Sequence, residues 1–395
     1  MALDTLTGQE NVVIPQPPAD APIQFFDLKA QQALVRSKVE ARFTTILDHG
    51  RHIGGPEVDE LEQKLCEFTG AADAVAVGSG TQALVMPLIA LGYGHGDAVF
   101  IPGFTYNATA NAVLLAGATP VFVDVDPATF NMCPIDLEKQ IKAVKARRDL
   151  RARAIMPVDL YGMPADYHAI GQVADSYGLR IVADGAQSFG GRQSGKWVGA
   201  IAEITGTSFY PTKALGGYGD GGAIMTTDKD FAEILRSIRW HGTDADRKIS
   251  VRVGINGRCD SIQCAIVSEK LDIFQAERTR RVSIAAIYEE RLAGKVELQQ
   301  ATPGSEHGYG LFTVHVEGRD TVRAQLSELG IPTAIYYDTP LHRMEAYAPY
   351  NPAEGLPGCD ACAQSAMSLP MHPYLSDAQA HRVCDALEKV LGSTK

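Results

Sequence analysis

Between residues 74 and 187, short apolar runs alternate repeatedly with helical segments, and this alternation constrains the fold more than any other feature of the chain. "AVAVGSG" is followed by "TQALVMPLIALG", "AVFIPG" by "TYNATANAVLLAGA", then "TPVFVDV"; "ARAIMPVDLYG" precedes "DYHAIGQVADSYG" and "RIVADGAQ". Short strands that are apolar throughout must be buried on both faces, so the pattern predicts an α/β fold with a mostly parallel central sheet covered by helices. Sheets of this kind bind ligands at the carboxyl ends of their strands. The motifs that carry chemistry here fall at such ends.

A length of 395 residues predicts two domains rather than one core. Residues 1–22, ending "IPQPPADAP", lack periodicity and read as a disordered or extended tail. The large domain is expected over residues 23–274. From residue 275 the pattern changes to a long charged helix, "FQAERTRRVSIAAIYEERLAG", a strand "YGLFTVHVEG", a helix "RDTVRAQLSELG", a strand-like "PTAIYYDTP" and a closing helix "SDAQAHRVCDALEKVLG". Residues 275–395 are therefore expected to form a small α+β domain.

The formal net charge of −11 is spread along the chain, which argues against nucleic acid or an anionic membrane as partner. No apolar run is long enough to span a bilayer and the N-terminus lacks a signal-like region, so a cytoplasmic protein is expected. The seven cysteines are scattered and odd in number, which suits reduced thiols. Cys359 and Cys362 form a C-x-x-C with no second pair or histidine pair nearby, so no metal site is expected there.

Two glycine-rich signals need weighing. Gly78 to Ala83, "GSGTQA", fits a dinucleotide fingerprint, which keeps an oxidoreductase open as an alternative. That fingerprint wants an acid closing the next strand, whereas Asp97 precedes it. The more general physics remains: a glycine turn feeding a helix N-terminus offers free N–H groups to a phosphate, at Gly80 and Thr81, although Thr81 capping a plain turn is the simpler alternative. Asp184 ends an apolar strand, with Gln187 three residues on; a carboxylate there suits a helix cap or a metal ligand as well as a cofactor partner.

In "TSFYPTKALGGYGDGG" a single lysine, Lys213, sits between two strand-like runs among Gly216, Gly217, Gly219, Gly221 and Gly222. Desolvation there lowers a lysine pKa and favours a nucleophilic amine. So much glycine implies left-handed backbone or a very close approach, here expected toward a ligand and a neighbouring subunit. A phosphate cradle, an aromatic after the next strand (Tyr106), a strand-end carboxylate and a lysine, in this order, are what pyridoxal phosphate requires.

With these residues in place, the chain resembles the DegT/DnrJ/StrS sugar aminotransferases, through "FFDLKAQQ", "GPEVDELE", "GSGTQAL", "PGFTYNATANAVLLAGATPVFVDVD", "DGAQSFG", "TSFYPTKALGGYGDGGAI", "RVGINGRCDSIQCAIVSEKL" and "SLPMHPYL". The resemblance implies the aspartate-aminotransferase-like fold type I and pyridoxal 5'-phosphate, with pyridoxamine 5'-phosphate between two half-reactions. It implies that Lys213 binds the cofactor aldehyde and shuttles a proton, that Asp184 pairs with the ring nitrogen, that Gln187 approaches the ring hydroxyl and that Tyr106 stacks on the ring. Gly80, Thr81 and Ser208 would hold the phosphate, joined by Asn256 from the other subunit of a homodimer. Some family members carry histidine at the lysine position and act as dehydratases; Lys213 points to aminotransfer.

The amino donor implied is L-glutamate and the acceptor a nucleotide-linked keto-sugar. The wording is most similar to the 3-aminotransferases of UDP-2-acetamido-2-deoxy-3-oxo-glucuronate, which serve surface polysaccharide, O-antigen-type synthesis; a dTDP- or UDP-linked 3-keto or 4-keto-6-deoxy sugar is the alternative. Tyr336, Tyr337 and His342 of "AIYYDTPLHRMEAY" resemble the substrate loop, and Arg258 has the fork to meet a carboxylate or phosphate.

Overall fold

The computed structural model describes residues 12–147 and 149–393. The chain opens with α1 (Leu28–His49) and α2 (Pro56–Thr69), then runs β1 (Asp73–Val77), α3 (Gly80–Ala90), β2 (Asp97–Pro102), α4 (Asn107–Leu115), β3 (Thr119–Val123), α5 (Pro134–Ala146), β4 (Arg151–Ile155), α6 (Tyr167–Tyr177) and β5 (Arg180–Asp184). Next come the short β6 (Arg192–Gln193) and β7 (Lys196–Trp197), followed by β8 (Ile204–Ser208), β9 (Gly222–Thr226), α7 (Lys229–Arg239) and the long α8 (Ser261–Leu292). The remainder is β10 (Glu297–Leu298), β11 (Ser305–Glu306), β12 (Phe312–His315), α9 (Arg319–Glu328), α10 (Pro357–Ser365), β13 (Ala366–Leu369) and α11 (Asp377–Ser393).

The central sheet has the order β1-β9-β8-β5-β4-β2-β3. Strand β9 runs antiparallel to both its neighbours, and every other pairing in the sheet is parallel. Successive residues of a strand point to opposite faces, and alternate residues join different cores accordingly. Val75, Val77, Val99, Ile101, Val182 and Ile224 pack in one core with α3, α4 and α7, while Phe100, Ile155 and Ala183 pack in another with α5 and α6. Ala74, Ala76, Ala223 and Met225 face α2 and the first half of α8. The mostly parallel, doubly covered sheet read from the alternation is the one observed.

A second small sheet, β10-β12-β13, packs with α9, α11 and the end of α8 around Val314, Met367, Leu369 and Leu387. In this region one expectation is extended and one fails. The charged helix read from residue 274 is the second half of one helix that starts at Ser261 and enters both cores. "PTAIYYDTP" is irregular apart from a bridge between Ala334 and Ser368. Only this one residue pairs, at the outer edge of β13, so the segment does not extend the small sheet as a further strand.

Residues 1–11 of the expected tail lie outside the described residues. From residue 12 onward the segment is tied down rather than draped: Arg382 Nη1 donates to the carbonyls of Ala19 (2.8 Å) and Ala21 (3.0 Å), and Ile23 enters the core beside α11. Among the described residues no helix is long and apolar enough to cross a membrane.

Candidate active site

A cleft of about 700 Å³ opens at the carboxyl ends of the parallel strands. One wall is the turn after β1. There Ser79 caps α3, its Oγ accepting from Gln82 N at 3.2 Å, which leaves Gly80 and Thr81 in the first turn, where amides have no carbonyl four residues back. Ser208, at the end of β8, lies against this turn so closely that a Cβ on Gly80 would sit 2.7 Å from Ser208 Cβ. A Cβ on Gly222 would likewise sit 2.8 Å from the Ser79 carbonyl carbon. Two glycines thus bring two strand ends and a helix N-terminus into one small concavity lined by N–H groups and the Ser208 and Thr81 hydroxyls.

Asp184 forms the floor. It is buried at the end of β5, where Oδ2 accepts from Thr109 Oγ1 at 2.8 Å and Oδ1 from Ala186 N at 3.1 Å. Burial pushes its pKa up, and the two hydrogen bonds and the nearby Lys213 charge oppose the rise. The Lys213 pKa is lowered by burial, with Asp184 opposing. Each charge supports the other in a site that disfavours both.

The substrate side is aromatic. Tyr106 is 56% exposed at the mouth, its ring 5.9 Å from Tyr337. Tyr337 receives a hydrogen bond from Gln187 Nε2 at 3.1 Å, while Gln187 Oε1 accepts from Tyr161 N at 2.7 Å, so the Gln187 amide is fixed in orientation at the cleft edge. Tyr336 also lines the cleft, and its carbonyl accepts from the buried Tyr161 hydroxyl.

The structure therefore brings together Gly80, Thr81, Tyr106, Asp184, Gln187, Ser208, Lys213, Tyr336 and Tyr337. Three expected residues do not line the cleft. His342 is a correction: the turn at Pro340–Leu341 buries its ring, which faces Asp360 at 3.2 Å behind the end of β2. The Arg258 guanidinium stacks over Trp240 at 4.7 Å, and Asn256 lies exposed outside the cleft, its carbonyl accepting from Gln82 Nε2. Asp97, the misplaced acid of the dinucleotide pattern, begins β2 and pairs with Arg151 at 3.0 Å, at the opposite end of the sheet. Cys359 and Cys362 are buried thiols raised by desolvation, and no group of three or more potential metal ligands occurs among the described residues.

Sequence reasoning passed over Thr109, the partner of Asp184, and Lys270. Thr109 sits one helical turn past Tyr106, a spacing that could have flagged it. Lys270 carried no signal. It is 1% exposed on α8, and its Nζ donates to the carbonyls of Gly216 (2.6 Å) and Gly217 (3.4 Å), with burial pulling its pKa down to about 8. The glycines after Lys213 also differ from expectation. None of Gly216, Gly217, Gly219, Gly221 and Gly222 has a positive φ. A Cβ would instead meet the chain itself, at 2.6 Å from the Pro211 carbonyl for Gly216 and 2.6 Å from the Gln263 amide for Gly217 and Gly219. The loop is glycine-rich because it folds back on itself and onto α8.

These residues fit pyridoxal phosphate: an N–H-lined concavity for a phosphate, a buried carboxylate for a ring nitrogen and an amine of lowered pKa in the same cleft. Residues 34–388 match the DegT/DnrJ/EryC1/StrS aminotransferase family. A UDP-2-acetamido-2-deoxy-3-oxo-D-glucuronate aminotransferase of Pseudomonas aeruginosa is 44% identical over 92% of this chain and 99% of that protein. A dTDP-3-amino-3,4,6-trideoxy-alpha-D-glucose transaminase of Streptomyces venezuelae is 39% identical over 93% of this chain and 96% of that protein. The crystal structure of a DegT DnrJ EryC1 StrS aminotransferase from Brucella abortus superposes with a TM-score of 0.91 at 43% identity, covering 94% of this chain and all of that one. The fold is fold type I, and structural neighbours are known in PLP and PMP forms.

Proposed function

We propose that this chain, which belongs to the DegT/DnrJ/EryC1/StrS aminotransferase family, moves an amino group from L-glutamate to C-3 of UDP-2-acetamido-2-deoxy-3-oxo-glucuronate. The observation that carries amine transfer is the meeting of Lys213 and Asp184 in one cleft, each biased by burial toward its neutral form. The sugar is inferred from the 44% identical Pseudomonas aeruginosa relative. The 39% identical dTDP-sugar transaminase supports the second reading, a dTDP- or UDP-linked keto-6-deoxy acceptor.

When bound, pyridoxal phosphate supplies an aldehyde that takes up and returns the amino group and a ring that stores the electrons of the transfer. The chain's own groups do the rest. Lys213 Nζ would hold the cofactor at its aldehyde and, when free, take and return a proton, a task that a depressed pKa suits. Asp184, steadied by Thr109 and the Ala186 N–H, would keep a proton on the ring nitrogen. Gly80, Thr81 and Ser208 would hold the phosphate, and the Tyr106 ring would stack on the cofactor ring. Tyr336 and Tyr337 meet the acceptor. Asn256 and Arg258, outside this chain's cleft, act in that of a second copy, so the enzyme is a homodimer with shared sites. We further assign residues 23–274 to a cofactor-binding domain and 275–395 to a small domain, in a cytoplasmic enzyme of surface-polysaccharide synthesis.

The test is purified protein with glutamate and a panel of UDP- and dTDP-keto-sugars, reading product mass and regiochemistry. Amination at C-3 of the keto-uronate is expected. Transfer confined to dTDP- or UDP-linked keto-6-deoxy sugars would establish the second reading, and no glutamate-dependent amination of any member would refute both.

A further inference from the structure

The segment before α1 is a strap laid across two parts of the molecule. Arg280 Nη2 holds Gln16 Oε1 at 2.9 Å; Arg382 Nη1 holds the carbonyls of Ala19 and Ala21; Gln379 Nε2 donates to Ala21 O at 3.2 Å. The strap then passes His372, whose Nε2 lies 3.1 Å from Gln24 O, and ends at Asp27, which caps α1 by accepting from Ala30 N at 2.9 Å. Between these last two anchors it places Phe25 and Phe26 in the wall of the cleft. Their rings meet edge-on at 4.7 Å, and Phe25 lies 6.4 Å from the Tyr336 ring. Backbone anchored at this many points, by side chains of α8, α11 and the turn before it, is more than a linker requires.

We propose that the strap is a specificity element: Phe25 and Phe26, with Tyr336, form the apolar platform on which the sugar ring of the acceptor packs, and Gln379 and Arg382 position that platform from outside the cleft. This rests on the aminotransferase reading above. The physical reason is a difference between the two substrates of one site. A pyranose presents a face of C–H groups that an aromatic ring desolvates well. Glutamate is small and carries two carboxylates, and two phenyl rings offer these no partner. The platform therefore acts on acceptor binding and leaves the donor step alone. The anchoring residues lie on α11, so hydrogen bonds join the acceptor-binding wall to the small C-terminal core.

The holoenzyme carrying Phe25→Ala or Phe26→Ala tests this, with circular dichroism as the check on folding. Calorimetric binding of UDP-2-acetamido-2-deoxy-glucuronate is expected to weaken by about tenfold, the scale of losing apolar contact in a pocket. The absorbance change driven by glutamate should keep its wild-type rate. Arg382→Ala combined with Gln379→Ala is expected to raise acceptor KM by about threefold at constant kcat, and Arg382→Lys, which keeps a donor, to recover most of it. Unchanged probe affinity in both Phe variants, or an equal loss in the glutamate step, would overturn the platform. A wild-type enzyme that reacts with glutamate but binds no nucleotide sugar would overturn the acceptor reading and the platform with it. Binding by wild type that the Phe variants match would overturn the platform alone.

Discussion

Replacing Thr109 by valine keeps the shape of a fully buried side chain and removes one hydroxyl, the donor that holds Asp184 Oδ2 at 2.8 Å. A hydrogen bond to a charged group is worth about 1.5–3 kcal/mol. At about 1.4 kcal/mol per factor of ten, its loss shifts the ionisation constant of Asp184 about 10- to 100-fold toward the protonated form. The direction follows from the site. Burial already pushes this carboxyl up, and the substitution leaves the Ala186 N–H and the Lys213 charge to oppose it. A protonated Asp184 cannot keep a proton on the cofactor nitrogen, so the damage falls on the acid side of the activity profile. The acid limb of kcat/KM against pH should move alkaline by about one to two pH units, with activity recovering as pH rises. Thr105, 3.2 Å from Thr109, loses its partner too, so about 1 kcal/mol of stability is lost as well. Thr109→Ser restores the donor and should restore the profile. A Thr109→Val enzyme whose pH profile superposes on wild type would show that Asp184 does not depend on this hydroxyl.

Other outcomes follow from the same geometry. Lys213→Ala should abolish turnover, leaving phosphate-anchored cofactor without its covalent absorbance; retained normal turnover would sink the mechanism. Gly80→Ala puts a Cβ 2.7 Å from Ser208 Cβ, and overpacking of this kind costs about 1–3 kcal/mol, here as weakened cofactor affinity measured by equilibrium dialysis. Lys270→Met leaves the Gly216 carbonyl without its donor but also removes a buried charge, so the melting temperature should change by only a few degrees while kcat falls about tenfold; an unchanged kcat would count against a positioning role. Burial lowers the pKa of His372 to about 4, so the unfolded chain takes up a proton near pH 6.5 that the fold refuses. Stability is therefore lost as pH falls from about 6.5 toward about 4, by up to about 1.4 kcal/mol per pH unit, and denaturation of His372→Gln should show a shallower fall across that window.

Much of the site was legible because its chemistry demands particular residue types at strand ends. A phosphate needs a glycine turn before a helix, a pyridine nitrogen needs a carboxylate closing an apolar strand, and an aldehyde needs a lysine in a desolvated loop. Gly80, Asp184 and Lys213 each announce one of these within a few residues, and the order of the signals along the chain follows the order of the strands. Thr109, marked by no more than its spacing from Tyr106, and Lys270, marked by nothing, show the converse. A threonine in the first turn of a helix and a lysine in a charged helix are ordinary locally, and only the packing of α4 on β5 and of α8 on the glycine loop gives each its partner.

The sequence by itself determined the doubly covered, mostly parallel sheet and the ends at which ligands bind, since burial on both faces leaves uninterrupted apolar runs and helices leave their caps. It also pointed to pyridoxal phosphate through the order of its site residues, and to amine transfer through the family resemblance that those residues carry. The tertiary structure alone decided which long-range neighbours complete the cleft. It turned His342 away toward Asp360, made the glycines of the Lys213 loop a matter of self-packing and laid Phe25 and Phe26 into the cleft wall from a strap held by α11. Local sequence encodes backbone preference and burial period, whereas contacts between residues hundreds of positions apart depend on how the finished elements pack, and that is where a side chain acquires its partner.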